Sequence, residues 1–272
     1  MNLHSAIAAA MLCVMSSPAL AGAWTLPEES SQIIATTIVS TASTEFNANG
    51  EPYRPVKFRK LLQTACIEYG WKDWLTLTLD PEYARAISAE FRKPVQHATD
   101  FAVGGGLRAR LTGSIGVLSL EATVKSAGTY DMSTAIDLTA INSNPLKRDT
   151  SRQAELRLLY GTNFTLFGRS GYFDSEVAQR WIANARPDET AIDFTVGYDI
   201  GWHTQAMLQS FNLIAAGNAR PPYSYYRSHK LALSAVTHIW RQFSLQTGTF
   251  FSPAGQNALA EQGAFVALWV QI

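Results

Sequence analysis

Residues 264–272 read Ala264-Phe265-Val266-Ala267-Leu268-Trp269-Val270-Gln271-Ile272. Ala264, Val266, Leu268, Val270 and Ile272 fall on one face of an extended chain, and Phe265, Ala267, Trp269 and Gln271 on the other. A strand with two usable faces at the end of a sequence needs a partner on each side, because an open sheet edge invites aggregation. A transmembrane barrel supplies that partner by pairing its last strand with its first. The expectation is an all-β, up-and-down antiparallel transmembrane β-barrel.

Working outward, the same two-residue period recurs. Phe101, Val103, Gly105, Leu107, Ala109 and Leu111 alternate with Ala102, Gly104, Gly106, Arg108 and Arg110. Leu75, Leu77 and Leu79 alternate with Thr76, Thr78 and Asp80, and Ile192, Phe194, Val196, Tyr198 and Ile200 with Asp193, Thr195, Gly197 and Asp199. Leu231, Leu233, Ala235, Thr237 and Ile239 alternate with Lys230, Ala232, Ser234, Val236 and His238. In these four stretches every charge sits on one face, together with the small residues.

About twelve such segments lie near 32–46, 57–69, 74–82, 97–111, 115–126, 152–161, 166–183, 189–200, 204–216, 226–239, 243–252 and 259–272. Short connections near 70–73, 112–114, 162–165, 201–203 and 240–242 alternate with longer ones near 47–56, 83–96, 127–151, 184–188, 217–225 and 253–258. Short turns on the periplasmic side and long loops outside are the pattern of a barrel in a bacterial outer membrane. An even strand count puts both ends of the barrel on the periplasmic side. Each strand with its connection has about 21 residues, and a membrane strand needs about 9–11. Trp71, Trp74, Trp202, Trp240, Tyr223, Tyr225 and Tyr226 cluster near strand ends, where amphipathic rings suit the headgroup level.

Ala6 to Met15 form a short apolar run, broken by Ser16-Ser17-Pro18 and followed by Ala19-Leu20-Ala21. This pattern predicts a secretory signal peptide over 1–21, cleaved near Ala21, and a barrel over 22–272. Cys13 would leave with the leader, so Cys66 would be the one cysteine of the mature chain and no internal disulfide could form. Lys and Arg number 22, as do Asp and Glu, which argues against a nucleic-acid partner. The expected surroundings are the lipid of a Gram-negative outer membrane.

With the apolar face in lipid, the opposite face lines a lumen. It would carry Arg108, Arg110, Glu121, Lys125, Glu155, Arg157, Asp174, Glu176, Arg180, Asp193, Asp199 and Lys230. Both signs are present. Such charges either pair into a ladder that fills a narrow barrel or frame a water-filled path. For any one residue, an interior salt bridge is the simpler reading.

No metal site, cofactor or catalytic set is expected. Ser234 and His238 share a face but stand four residues apart, roughly 13 Å along a strand, too far for a nucleophile and its base. His229 lies on the same strand and His203 in a turn with no nearby serine. Gly104-Gly105-Gly106 is no phosphate loop, because no Lys-Ser/Thr follows and it sits inside a strand.

Several blocks resemble the XagA-like proteins of Gram-negative bacteria. They are Gly22-Ala23-Trp24-Thr25-Leu26-Pro27-Glu28 with Gln32, Pro187-Asp188-Glu189 followed by Asp193 to Gly197, and Gln209-Ser210-Phe211-Asn212. His229 to Val236, Ser244 to Gly248 and Asn257 to Trp269 continue the likeness. The resemblance implies an outer-membrane barrel linked to clusters for surface polysaccharide and biofilm matrix, and it carries over no catalytic residue. That family usually ends in an aromatic residue read by the barrel-insertion machinery, where this chain has Ile272. The functional expectation is a passive pore or exporter for a small or saccharide solute. The alternatives are a plugged structural or adhesion barrel and, less favoured, a lipid-modifying barrel enzyme.

Overall fold

The computed structural model describes residues 22–89, 96–113, 116–126, 152–183, 186–215, 217–220 and 224–272. The expected leader, the 127–151 connection and the centre of the 83–96 connection lie outside them. Twelve strands follow in order: β1 Ser31–Phe46, β2 Pro52–Lys72, β3 Leu75–Ala89, β4 Gln96–Thr112, β5 Val117–Lys125 and β6 Gln153–Leu166. Then come β7 Arg169–Ile182, β8 Glu189–Gly201, β9 Thr204–Ala215, β10 Tyr226–Trp240, β11 Phe243–Gln256 and β12 Ala258–Gln271. Each strand pairs with its sequence neighbours, and β12 closes on β1, so the sheet has no free edge.

The closing seam is antiparallel, from Gln32 opposite Gln271 to Ala42 opposite Glu261. Ser31 and Ile272 exchange backbone hydrogen bonds at 2.8 and 2.9 Å, so the ladder runs through the final residue. Val266 and Leu268 face outward, whereas Phe265, Ala267 and Trp269 are buried toward the lumen. The outer surface carries Phe101, Val103, Leu107 and Leu111 on β4 and Leu156 and Leu158 on β6. Such a band of exposed apolar side chains is costly in water and favourable in lipid.

Several boundaries differ from the sequence reading, among them the start of β2, which is Pro52 and not near 57. The β6–β7 turn is Phe167-Gly168, not 162–165, because both residues take positive φ (49° and 75°), the geometry of a tight hairpin turn. Asp80-Pro81-Glu82 looks like a strand end, yet Pro81 lies opposite Val103 and β3 continues to Ala89. The 253–258 connection shrinks to Asn257, with φ 48°, between β11 and β12. This hairpin tip is tied to the chain on either side of it. The Asn257 amide nitrogen donates to the Asn47 carbonyl at 3.1 Å and its side chain to the Tyr225 carbonyl at 3.0 Å.

Trp71, Trp74, Trp202 and Trp240 are all exposed at the end bearing the short turns. Tyr226, expected in an aromatic girdle, points inward instead and is 1% exposed. Its hydroxyl donates to the Glu189 carboxylate. The packed core lies inside the barrel. Ala42, Val56, Phe58, Ala86 and Leu259 fill one side of the loop end, and Ala178, Ala191, Leu213, Ala215, Tyr226 and Ala258 the other. Tyr172, Met207, Val236, Ala267 and Trp269 pack nearer the short turns.

Candidate functional site

The lumen is occupied by the chain itself. Residues 22–30 precede β1, and their hydrogen bonds run from the short-turn rim to the inner wall. At the rim, the Glu28 amide nitrogen donates to Asp73 Oδ1 at 2.9 Å, and Thr25 Oγ1 donates to the Asp73 carbonyl at 2.7 Å. The Leu26 amide nitrogen donates to Thr76 Oγ1 at 2.8 Å on the inner face of β3. Deeper in, Arg108 Nη1 reaches the Trp24 carbonyl at 3.3 Å, and the Ser119 hydroxyl donates to the Ala23 carbonyl. The Ala23 amide nitrogen donates to Asp174 Oδ1 at 2.8 Å, and Ala23 is completely buried. A non-repetitive segment in a dry interior needs side-chain partners for its backbone groups, and the barrel wall supplies them one by one.

Trp24 anchors this plug. Its ring meets Tyr172 edge-on, with centroids 5.9 Å apart and planes at 90°. The same ring lies against Gly161, where any Cβ would collide with it. Gly161 is therefore a seat for an indole, which requires the smallest residue at that point of β6. Trp24 also packs on the cluster that contains Trp269.

Around the plug, most wall charges fall into three groups, with Lys125 and Glu82 a separate pair at 2.6 Å. Arg108 lies 2.8 Å from Glu68 and 2.7 Å from Glu121. On β6 to β8, Arg157 contacts Glu155 at 2.8 Å, Asp193 at 3.6 Å and also Glu176. Arg180 joins Glu155 at 2.8 Å to Glu189 at 2.7 Å, and Arg186 adds to Glu189 at 3.1 Å. That network sets three guanidiniums against four carboxylates. Across the barrel, buried Glu261 lies 2.9 Å from Lys60 and 2.7 Å from Lys230 and accepts a hydrogen bond from Ser40. The Lys230 ammonium sits over the Phe250 ring at 5.6 Å. The excess charge is thus negative on one wall and positive on the opposite one.

Between these walls is a cavity of about 460 Å³. Ile38, Leu62, Phe211, Phe265 and Trp269 line one side, and Arg108, Glu121, Glu155 and Arg157 the other. Gly22, at the tip of the plug, also borders it.

Of the residues expected in the lumen, Arg108, Glu155, Arg157, Glu176, Arg180 and Asp193 belong to the charged wall, and Lys230 belongs to the separate group around Glu261. Arg110 lies exposed toward the rim. Asp199 turns back, its Oδ1 accepting from the Gly201 amide nitrogen at 2.7 Å in the β8–β9 turn. Sequence reasoning missed Lys60, Glu68, Glu189, Glu261 and the plug. Lys60, Leu62, Thr64, Cys66 and Glu68 do alternate along β2, so that face was readable; nothing periodic marks Trp24.

Ser234 donates to no histidine; its Oγ accepts from Gln246 Nε2 at 3.0 Å. His229 Nδ1 pairs with Asn212 Oδ1 at 2.9 Å. His238 Nδ1 lies 3.4 Å from Ser244 Oγ at the exposed rim, with the His203 ring 6.5 Å away. Among the described residues, no group of three or more His, Cys, Asp and Glu side chains is placed to hold a metal ion.

No family model matches the sequence, and no curated protein is similar to it in sequence. Solved structures are similar in fold. An outer membrane channel from Pseudomonas putida aligns over 92% of this chain and 98% of its own, with TM-score 0.70 and 13% identity. The fold is that of an outer-membrane barrel. The translocator domain of the autotransporter NalP from Neisseria meningitidis aligns over 98% and 95%, with TM-score 0.55 and 11% identity. The β domain of the Bordetella autotransporter BrkA aligns over 90% and 100%, with TM-score 0.54 and 12% identity. At these identities the likeness concerns the fold alone.

Proposed function

We propose that this protein is a channel of the Gram-negative outer membrane, held shut by its own N-terminal segment. In this reading residues 1–21 are a leader removed near Ala21, the short turns face the periplasm, and residues 22–30 enter the lumen from that side. The observation that carries the reading is the seating of Trp24 on Gly161 and Tyr172. The contacts are non-covalent and none replaces a strand pairing of the barrel, so a plug held this way can leave without unfolding the wall. A protein meant only to be filled would more simply fill its lumen from the wall.

The cavity suggests the solute. One aromatic and aliphatic wall facing one charged wall suits a saccharide, whose ring faces are apolar and whose hydroxyls hydrogen-bond. This agrees with the resemblance to XagA-like proteins and their polysaccharide context. No chemical step is assigned to the channel. A second reading, a sealed structural barrel displaying its loops, draws on Asn257, which ties the loop end together through Asn47 and Tyr225.

Planar-bilayer recording separates the two. Discrete openings, reduced by added oligosaccharide, support the channel. Silence from protein that shows heat-modifiable migration on a gel supports the sealed barrel.

A further inference from the structure

Asp174 is the least explained charge in the lumen. It projects inward from β7 and is 3% exposed. Its Oδ1 accepts the Ala23 amide proton at 2.8 Å. No lysine or arginine among the described residues forms an ion pair with it. Arg108 is taken by Glu68 and Glu121, and Arg157 by Glu155, Glu176 and Asp193. Besides that neutral donor, its side-chain neighbour is the Glu176 carboxyl, and a buried carboxylate beside a like charge and without a cation is expensive.

The residue against it is Gly22. A Cβ built on Gly22 would run into all three atoms of the Asp174 carboxyl group, and Gly22 has φ +94°. Glycine is needed here on both counts, for close approach and for a left-handed backbone. Gly22 is also the residue that follows the Ala19-Leu20-Ala21 cleavage pattern. In an uncut chain the nitrogen of Gly22 is a neutral amide. After cleavage it is an ammonium placed beside the unpaired carboxylate.

We propose that Asp174 is the binding site for the α-ammonium of Gly22, created when the leader is removed, and that this ion pair locks the plug in the lumen. The inference rests on the reading that residues 1–21 are cleaved after Ala21. The covalent step is hydrolysis of the Ala21–Gly22 peptide bond by a signal peptidase. Water's hydroxyl makes Ala21 a carboxylic acid and its other proton goes to the Gly22 nitrogen; the acid then gives up its proton and the amine takes one up, so at neutral pH the products are the Ala21 carboxylate and the Gly22 α-ammonium. The pairing then joins two full charges in a site of low dielectric, where such a bond is short and strong. Closure of the lumen becomes a consequence of maturation: the uncut chain lacks the charge that Asp174 is placed to hold.

The test uses the protein isolated from outer membranes. Intact mass shows where the mature chain begins, and an aldehyde reagent selective for N-terminal α-amines reports access to Gly22. The expected results are a chain starting at Gly22, an amine labelled at least tenfold more slowly in folded than in denatured protein, and loss of that protection in Asp174→Asn. Asp174→Glu, which keeps the charge, should retain most of it. Folded wild-type protein labelled as fast as denatured protein overturns the pairing, and this result requires no variant to fold. Protection unchanged in heat-modifiable Asp174→Asn also overturns it. A mature chain beginning elsewhere overturns the processing reading and the proposal together, whereas a chain beginning at Gly22 with an open amine removes only the pairing.

Discussion

Replacing Trp24 with Ala should open the barrel while leaving its wall intact. Truncating a buried Trp to Ala costs about 3–5 kcal/mol, the sum of lost transfer energy and the void left behind. The edge-to-face contact with Tyr172 accounts for about 0.5–1.5 kcal/mol of such a figure. Trp24 is half-buried, not fully buried, so the working cost to the plugged state is about 2–4 kcal/mol. At about 1.4 kcal/mol per decade, the ratio of open to plugged molecules rises by roughly 30- to 700-fold. None of the ion pairs of the wall involves Trp24, so the barrel itself loses little. Two readouts follow. Open probability in planar bilayers should rise steeply. Cys66 borders the cavity, and with Cys13 lost with the leader it is the one thiol, so a charged methanethiosulfonate should modify it faster by a comparable factor. A heat-modifiable Trp24→Ala barrel with wild-type open probability and wild-type Cys66 labelling refutes the plug as the gate.

Gly161→Val should mimic Trp24→Ala from the opposite side, since its Cβ lands in the indole ring; conductance that stays at the wild-type level would count against Gly161 as the seat. Glu261→Gln leaves two buried ammoniums facing each other and should destabilise the barrel by about 3–5 kcal/mol, read as a lower denaturant midpoint for loss of heat-modifiability. An unchanged midpoint would mean that Lys60 and Lys230 do not depend on that carboxylate. Arg108→Met, combined with Trp24→Ala to keep the channel open, frees Glu68 and Glu121 and should shift reversal potentials toward cation selectivity; a shift toward anions contradicts the assignment of the acidic wall. Ile272→Phe should leave assembly unchanged or improve it, because Ile272 is exposed and its backbone alone pairs with Ser31. A marked loss of membrane-inserted protein would show that the Ile272 side chain has a role of its own.

The barrel was readable from sequence because a membrane strand has one rule: a lipid face and a lumen face in strict alternation. That rule places Arg108 and Glu155 inward and Leu107 and Leu156 outward without reference to any partner. It also explains the misplaced turn. Residues 162–165 look like a break after Gly161, but β6 runs on through them, Gly161 is small because it receives an indole from elsewhere in the chain, and the real turn at Phe167-Gly168 is set by two positive φ values. Tyr226 was misassigned for a related reason. An aromatic at a strand end suits a headgroup girdle, unless a buried carboxylate such as Glu189 is within its reach. The plug was invisible because each of its contacts joins a backbone group or a single ring to a distant strand. No local pattern records a partner about 150 residues away, as Ala23 and Asp174 are.

The wall and the plug are stabilised by different means, and that separation makes a gate physically reasonable. The carboxylates of the three charge groups are satisfied by cations on the wall itself, so the ion-pair ladder persists whether or not the lumen is filled. The plug contributes one ring, a set of backbone hydrogen bonds, the exposed Glu28–Lys72 ion pair and the contact at Asp174. Withdrawing it breaks Arg108 to the Trp24 carbonyl but leaves Arg108 bound to Glu68 and Glu121, so no wall charge is stranded. Asp174 is the exception in the lumen, a buried wall carboxylate without a cation whose amide donor belongs to the plug. Opening therefore carries an electrostatic cost at Asp174 in the lumen and a smaller one at the rim, where exposed Glu28 pairs with Lys72, and the free energy that keeps the lumen shut is concentrated at Trp24 and Asp174. A solute that fills the space beside Trp269 and offers a cationic or hydrogen-bond-donating group to Asp174 would compete for both sites at once.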